Sequence, residues 1–171
     1  TAIQKLARDR VPSVRFCLVC ELWHLFELMP GPMWTILGEF AEKEVNEVVL
    51  QGITVSLWRL IRHDKERSLF LIQQLLKRAE EDTDDEEKAR TALIRMVVDY
   101  AVWHDDQWAK GAIARWQSNP LEYSASVSTV GQRLIEHVQP KHQGTQLERA
   151  RSLLLNHLDA VAVGLCSLQK K

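Results

Sequence analysis

Apolar residues recur along this chain at intervals of three and four almost everywhere, while alternating apolar and polar runs rich in β-branched residues hardly occur. The pattern predicts a chain made of helices. Val14, Leu18, Leu22, Leu25 and Phe26 form one stripe of a helix from about Pro12 to Met29, with a proline where a first turn tolerates it, and Pro30, Gly31 and Pro32 end it. A second helix carries Trp34, Leu37, Phe40 and Ala41. A third carries Val45, Val49, Ile53, Leu57 and Leu60, and a fourth, capped by Asp64, carries Leu69, Ile72, Leu75 and Leu76. A fifth runs to about His104, and a sixth starts near Asp105 or Asp106 and holds Trp108, Ile113 and Trp116. Asn119, Pro120 and Glu122 give the strongest start signal in the chain, a cap, a first-turn proline and a carboxylate. Thr145 with Glu148 reads as a capping box before a long last helix to about Leu168. Ile3, Leu6 and Ala7 look like the last turn of a helix that begins earlier, so the chain is expected to be a piece of a larger protein.

Eight helices joined by short connections suggest pairs, and self-similarity carries this further. Sliding the chain by 35 positions places Val14 on Val49, Leu18 on Ile53, Leu22 on Leu57, Trp23 on Trp58 and Leu25 on Leu60. The partner helix follows: Trp34 falls on Leu69, Ile36 on Leu71, Leu37 on Ile72 and Phe40 on Leu75. A further shift of 45 takes Val49 to Ile94, Ile53 to Val98 and Trp58 to Trp103, the extra ten positions matching an acidic insertion over 80–88 in which Thr83 and Glu86 fit a capping box. A fourth pair, around Val130, Leu134, Ile135 and Val138 and then Leu147 to Leu168, fits in outline. Two helices per period of roughly 34 to 47 residues is the signature of helical solenoids, in which each pair leaves an apolar face that the next pair covers. The fold expected is all-α: a right-handed α-solenoid of about four antiparallel helix pairs, forming a single domain over 1–171.

Charge adds little to this picture. A formal net charge of -1 gives no global attraction to nucleic acid or to an anionic membrane. Three cysteines, Cys17, Cys20 and Cys166, are too few and too odd for a disulfide framework, which favours a reducing compartment, the cytoplasm. No window approaches the roughly 18 unbroken apolar residues of a membrane span.

Candidate chemistry is sparse. Cys17 and Cys20 form a CxxC on one helix face, half of a zinc site, but no second CxxC or HxxxH supplies the other half, so they read as buried structural cysteines. His104 beside Asp105 and Asp106 could hold a metal or act as a base, although an aspartate pair at a helix start normally caps it. His137 and His142 flank Pro140 and cannot share a helical face. Gly38, Gly52, Gly111, Gly131 and Gly164 lie inside expected helices, where each costs about 1 kcal/mol against alanine, and close helix approach is the expected reason. Trp23, Trp58 and Trp103 recur at equivalent repeat positions and read as packing; Trp108 and Trp116 also read first as packing, with a mixed aromatic and basic surface beside Lys110 and Arg115 as the alternative. No catalytic residue, metal ligand or cofactor motif stands out.

The stretch LARDRVPSVRFCLVCELWHL resembles the HEAT-like repeat, in which an aspartate, a proline, a valine and an arginine open a helix; here these are Asp9, Pro12, Val14 and Arg15. The second copy, NEVVLQGITVSLWRL, keeps the apolar ladder without the proline and the arginine. The texture is similar to the degenerate helical repeats of bacterial STAND-type and NACHT-type ATPases, which would imply a sensor or scaffold region detached from an ATPase core. On this reading the chain is non-catalytic and binds a protein partner. Its concave face is built from the second helix of each pair, with Arg67, Gln74, Lys77, Trp108, Lys110 and Arg115 as the contact residues. The alternative is a nucleic-acid-binding HEAT-like module related to DNA-base-excision proteins, which would require a basic concave face.

Overall fold

Proline and capping side chains set most of the helix starts in this protein. The computed structural model describes residues 2–81, 87–139 and 144–168, and every regular element among them is helical. In chain order these are α1 (Ala2–Ala7), α2 (Pro12–Glu21), a 3₁₀ segment (Leu22–Leu25), α3 (Pro30–Lys43), α4 (Glu47–Leu60), α5 (Lys65–Glu81), α6 (Glu87–His104), α7 (Gln107–Ser118), α8 (Ser124–His137) and α9 (Thr145–Leu168). Pro12 opens α2 and Pro30 opens α3, at positions where a missing N–H costs nothing. Asn46 caps α4 by accepting the N–H of Val49, Asp64 accepts that of Arg67 in the first turn of α5, and Asp106 caps α7 by accepting that of Ala109. None of these helices is long and apolar enough to cross a membrane. The acidic insertion falls mostly on residues 82–86, outside the described residues, as does its Thr83 and Glu86 box; α5 runs to Glu81 and α6 starts at Glu87.

By contacts the chain divides into two compact units, Thr1–Leu93 and Ile94–Lys171. In the first, α2 packs on α4, α3 packs on α5, and α4 also packs on α3 and α5. Helix α4 is therefore the centre, and its Val49, Leu50, Ile53, Leu57 and Leu60 are almost completely buried, as are Val19, Leu22, Met33 and Leu37 of the elements packed on it. In the second unit α7, α8 and α9 pack on one another around Ile113, Trp116, Val130 and Leu134.

Four sequence expectations are corrected here. The helix expected from Pro12 to Met29 stops at Glu21 and tightens into the 3₁₀ segment. The buried Ser56 hydroxyl of α4 donates to the Val19 carbonyl, which a continuing α-helix would offer to the N–H of Trp23. From there the bonds shorten, with Phe26 N–H reaching the Trp23 carbonyl at 3.1 Å. Pro30, Gly31 and Pro32 are accordingly the first turn of α3 and not a terminator. At Asn119, the chain closes one turn, Tyr123 N–H to the Asn119 carbonyl at 3.1 Å, and α8 begins only at Ser124. The side-chain amide of Asn119 is taken by the Glu122 carboxylate, and Pro120 lies against α9, where a side chain on Gly164 would meet its ring at 2.5 Å. At the last helix Gly144, at a φ of 72°, stands before Thr145, so Thr145 is the first helical residue and not the cap.

The helical glycines divide in two. Gly52, Gly131 and Gly164 do face close neighbours; a Cβ on Gly52 would stand 2.6 Å from Val19 Cγ1 and 3.0 Å from Phe16. Gly38 and Gly111 have nothing within 4 Å of that point, so close packing does not explain them. Gly52→Ala is therefore expected to destabilise the protein by about 1–3 kcal/mol through overpacking of α2 on α4. Gly38→Ala should instead stabilise it by about 0.5–1 kcal/mol. Urea unfolding of the two variants reads the signs, and a shift in the same direction for both would contradict this packing.

Candidate functional site

A groove of about 420 Å³ runs between α3 and α5, lined by Trp34, Gly38, Glu42, Arg67, Phe70, Leu71 and Gln74. Helical spacing makes it: Trp34, Gly38 and Glu42 form one row on α3, and Arg67, Phe70, Leu71 and Gln74 line the facing side of α5. Its two walls end together, because Arg78, near the end of α5, donates to the carbonyls of Ala41 and Glu44 at the end of α3. Arg67 thus stands towards the N-terminal ends of both helices and Glu42 towards their C-terminal ends. Glu42, Arg67, Phe70 and Gln74 are exposed, Phe70 by 58 %. Trp34 and Leu71 form the buried floor, and the indole N–H of Trp34 is fully covered without a hydrogen-bond partner.

This groove brings together two of the expected contact residues, Arg67 and Gln74. Lys77 is exposed one turn beyond Gln74 on α5 and does not line it. The other three lie in the second unit. Trp108 is half-buried, Lys110 is ion-paired with Asp105, and the Arg115 guanidinium lies 5.7 Å from the Tyr123 ring centre. Trp116 is fully buried in that unit's core. Phe70 and Gly38 were missed as site residues. A signal existed for Phe70: four successive apolar residues, Leu69 to Ile72, cannot all face one side of a helix.

The strongest cluster of titratable groups is in the second unit, between α6 and α8. Asp99 accepts Arg133 Nε and Nη2 at 2.6 Å each and lies 2.6 Å from His137 Nε2; an ionised carboxylate only accepts, so Nε2 carries the proton. Glu136 accepts from Arg133 and, at 2.8 and 3.0 Å, from Arg95. Burial pushes the Asp99 carboxyl up, but the hydrogen bonds from His137 and Arg133 and the Arg133 charge outweigh it and hold it below the usual carboxylate range. The cluster is a cross-helix brace whose carboxylates are occupied by their own neighbours.

The remaining candidates have local partners. Asp106 caps α7, and Asp105, at a φ of 55°, pairs with Lys110 and lies 3.7 Å from Arg149. Arg149 also reaches the Trp103 carbonyl at the end of α6, at 3.2 Å. The His104 ring sits 4.7 Å from that of Tyr100. Cys17 is exposed rather than buried, because it turns away from α4; Cys20 is half-buried and packed near Gly52, and burial pushes its thiol up. Among the described residues no three His, Cys, Asp or Glu side chains are grouped to hold a metal ion. A second cleft of about 430 Å³ lies beside Arg15, Glu39 and Lys43, but Arg15 is already held there by Glu44 and the Asp9 carbonyl. The chain matches no protein-family model, no curated protein and no solved structure.

Asp99 sets an acid dependence. Its carboxyl is held below the unfolded value, so its contribution is complete above the ordinary aspartate range and is lost as pH falls through the lowered pKa. Asp99→Asn should cost about 3 kcal/mol near pH 7, by removing the buried charge that Arg133 meets through Nε and Nη2, and should flatten the decline in unfolding free energy below about pH 4. Urea titrations across that range test it; an unchanged slope would refute the assignment. His157 works at higher pH. It is buried on α9 with Nδ1 3.0 Å from Gln117 Nε2, and burial holds its pKa down. Stability should therefore fall as pH drops below the ordinary histidine range, and His157→Gln should remove that component.

Proposed function

We propose that this chain is a right-handed α-solenoid segment of HEAT-like helix pairs, one repeat domain serving as a non-catalytic scaffold or sensor that binds a protein partner at the α3 and α5 groove. The observation that carries this reading is the groove itself, an exposed aromatic beside an unfilled helical glycine. Two further features support the repeat. Pro12 and Glu47 open α2 and α4 one 35-residue step apart, as Pro30 and Lys65 open α3 and α5, and the helices so related pack on each other. Arg15 also bonds the Asp9 carbonyl at 2.7 Å, joining two residues of the HEAT-like stretch.

Four of the seven lining residues are exposed, which suits a macromolecular surface better than an enclosed small-molecule cavity. A place in a bacterial STAND-type or NACHT-type ATPase fits the general texture, and a reducing cytoplasm fits three free thiols. The nucleic-acid alternative gains nothing from the groove, where Arg67 is balanced by Glu42.

A photo-crosslinking residue at Phe70, in the chain expressed in its native cells, should give a discrete protein adduct. The same residue at Val55, exposed on α4, should not. Gly38→Leu, which fills the groove floor, should abolish the Phe70 adduct while leaving helicity unchanged. An adduct that nuclease removes, or one given equally by both positions, would overturn the reading.

A further inference from the structure

Resting on that reading of the groove, we infer that its occupant is an amphipathic helix of the partner. This helix seats one aliphatic side chain over Gly38, an acidic residue beside Arg67 and a basic residue beside Glu42. The starting point is Gly38. A glycine in a helix interior costs about 1 kcal/mol against alanine, and nothing within 4 Å of its missing Cβ requires it. Glu42 and the exposed Phe70 line the same groove as Gly38. A side chain from outside gains apolar contact there that the protein's own residues do not supply.

The mode of docking follows from what the groove offers. Strand addition needs a sheet edge, and the described residues contain no strand. Polyproline recognition uses a row of exposed aromatic rings; Phe70 is exposed, while Trp34 is buried and its N–H cannot reach a ligand carbonyl. Two helices side by side, with rows at three-and-four spacing, form a furrow that accepts a third helix by ridges-into-grooves packing.

Charge gives the direction. Arg67 and Glu42 mark opposite ends of the groove, and their own ion-pair contacts, to Asp64 at 3.5 Å and to Lys43 at 3.9 Å, are long ones made by exposed Arg67 and Glu42 side chains and compete weakly. Trp34 to Glu42 is eight residues, about 12 Å along the axis. That is two turns, so the complementary charges of the occupant fall at about i and i+7 with the anchor at i+4. A helix carrying its acid in the first turn and its base in the last also satisfies its own dipole.

The test uses a fluorescein-labelled, helix-stabilised peptide with Glu, Leu and Lys at i, i+4 and i+7, titrated with the whole chain by anisotropy. A charge-swapped peptide and a proline-rich peptide serve as competitors. The first peptide should bind at least about tenfold more tightly than its charge-swapped form, and the double variant Glu42→Lys with Arg67→Glu should reverse that preference. Gly38→Leu should abolish binding of both. Equal binding of the two helical peptides, insensitivity to Gly38→Leu, preference for the proline-rich peptide, or no binding up to about 1 mM would each overturn the inference. No helical binding together with a discrete Phe70 protein adduct would sink this inference alone, whereas loss of both would sink the protein-binding reading as well.

Discussion

Glu44 is a buried carboxylate on which four helices of the first unit converge. It accepts Arg15 of α2 twice, at 2.7 and 2.9 Å, and the N–H groups of Asn46 and Val45 at 2.8 and 3.1 Å. Its own N–H closes the last turn of α3 on Phe40, and its carbonyl receives Arg78 of α5. Burial pushes its carboxyl up, and the bonds from Arg15 and the two backbone groups more than offset this and keep it ionised. A buried charge is tolerated only with such full pairing. Where Glu44 sits therefore decides where α3 ends, where Asn46 can begin α4, and how the ends of α3 and α5 meet. The groove inherits its geometry from that junction.

The second unit repeats the device in another place. Asp99 lies inside α6 rather than at a helix end, and it ties α6 to α8 through Arg133 and His137. Arg149 of α9 then reaches the carbonyls that close α6, as Arg78 reaches those that close α3. In both units an arginine from a later helix satisfies the orphan carbonyls of an earlier one. Helices that individually bury only a stripe are thereby held at a definite height along one another, which non-directional apolar contact does not specify.

Glycine shows how one residue type carries opposite meanings. Gly52 lets α2 approach α4 until Val19 occupies the space of its side chain, so it serves the core. Gly38 leaves space that none of the described residues fills within 4 Å, so core packing does not require it. Both look alike in a helical run of sequence. The difference is the neighbour, and the neighbour of Gly52 lies 33 positions back along the chain.

The helical character and the helix starts at Pro12, Asp64 and Asp106 were legible in the sequence, because periodicity, prolines and caps act within about four residues. Arg67 and Gln74 were legible as exposed polar positions of one helix. What remained hidden depends on distant partners. The Ser56 hydroxyl meets the Val19 carbonyl from 37 residues away where the helix that starts at Pro12 tightens, Pro120 is held against Gly164, and Lys110 is taken up by Asp105. The groove is of the same kind: Trp34, Gly38 and Phe70 acquire a shared role only when α3 and α5 lie side by side. Local order along this chain is determined by its own short-range pattern. The placing of its buried charges, close contacts and groove was decided by tertiary structure, because each depends on atoms that only folding brings together.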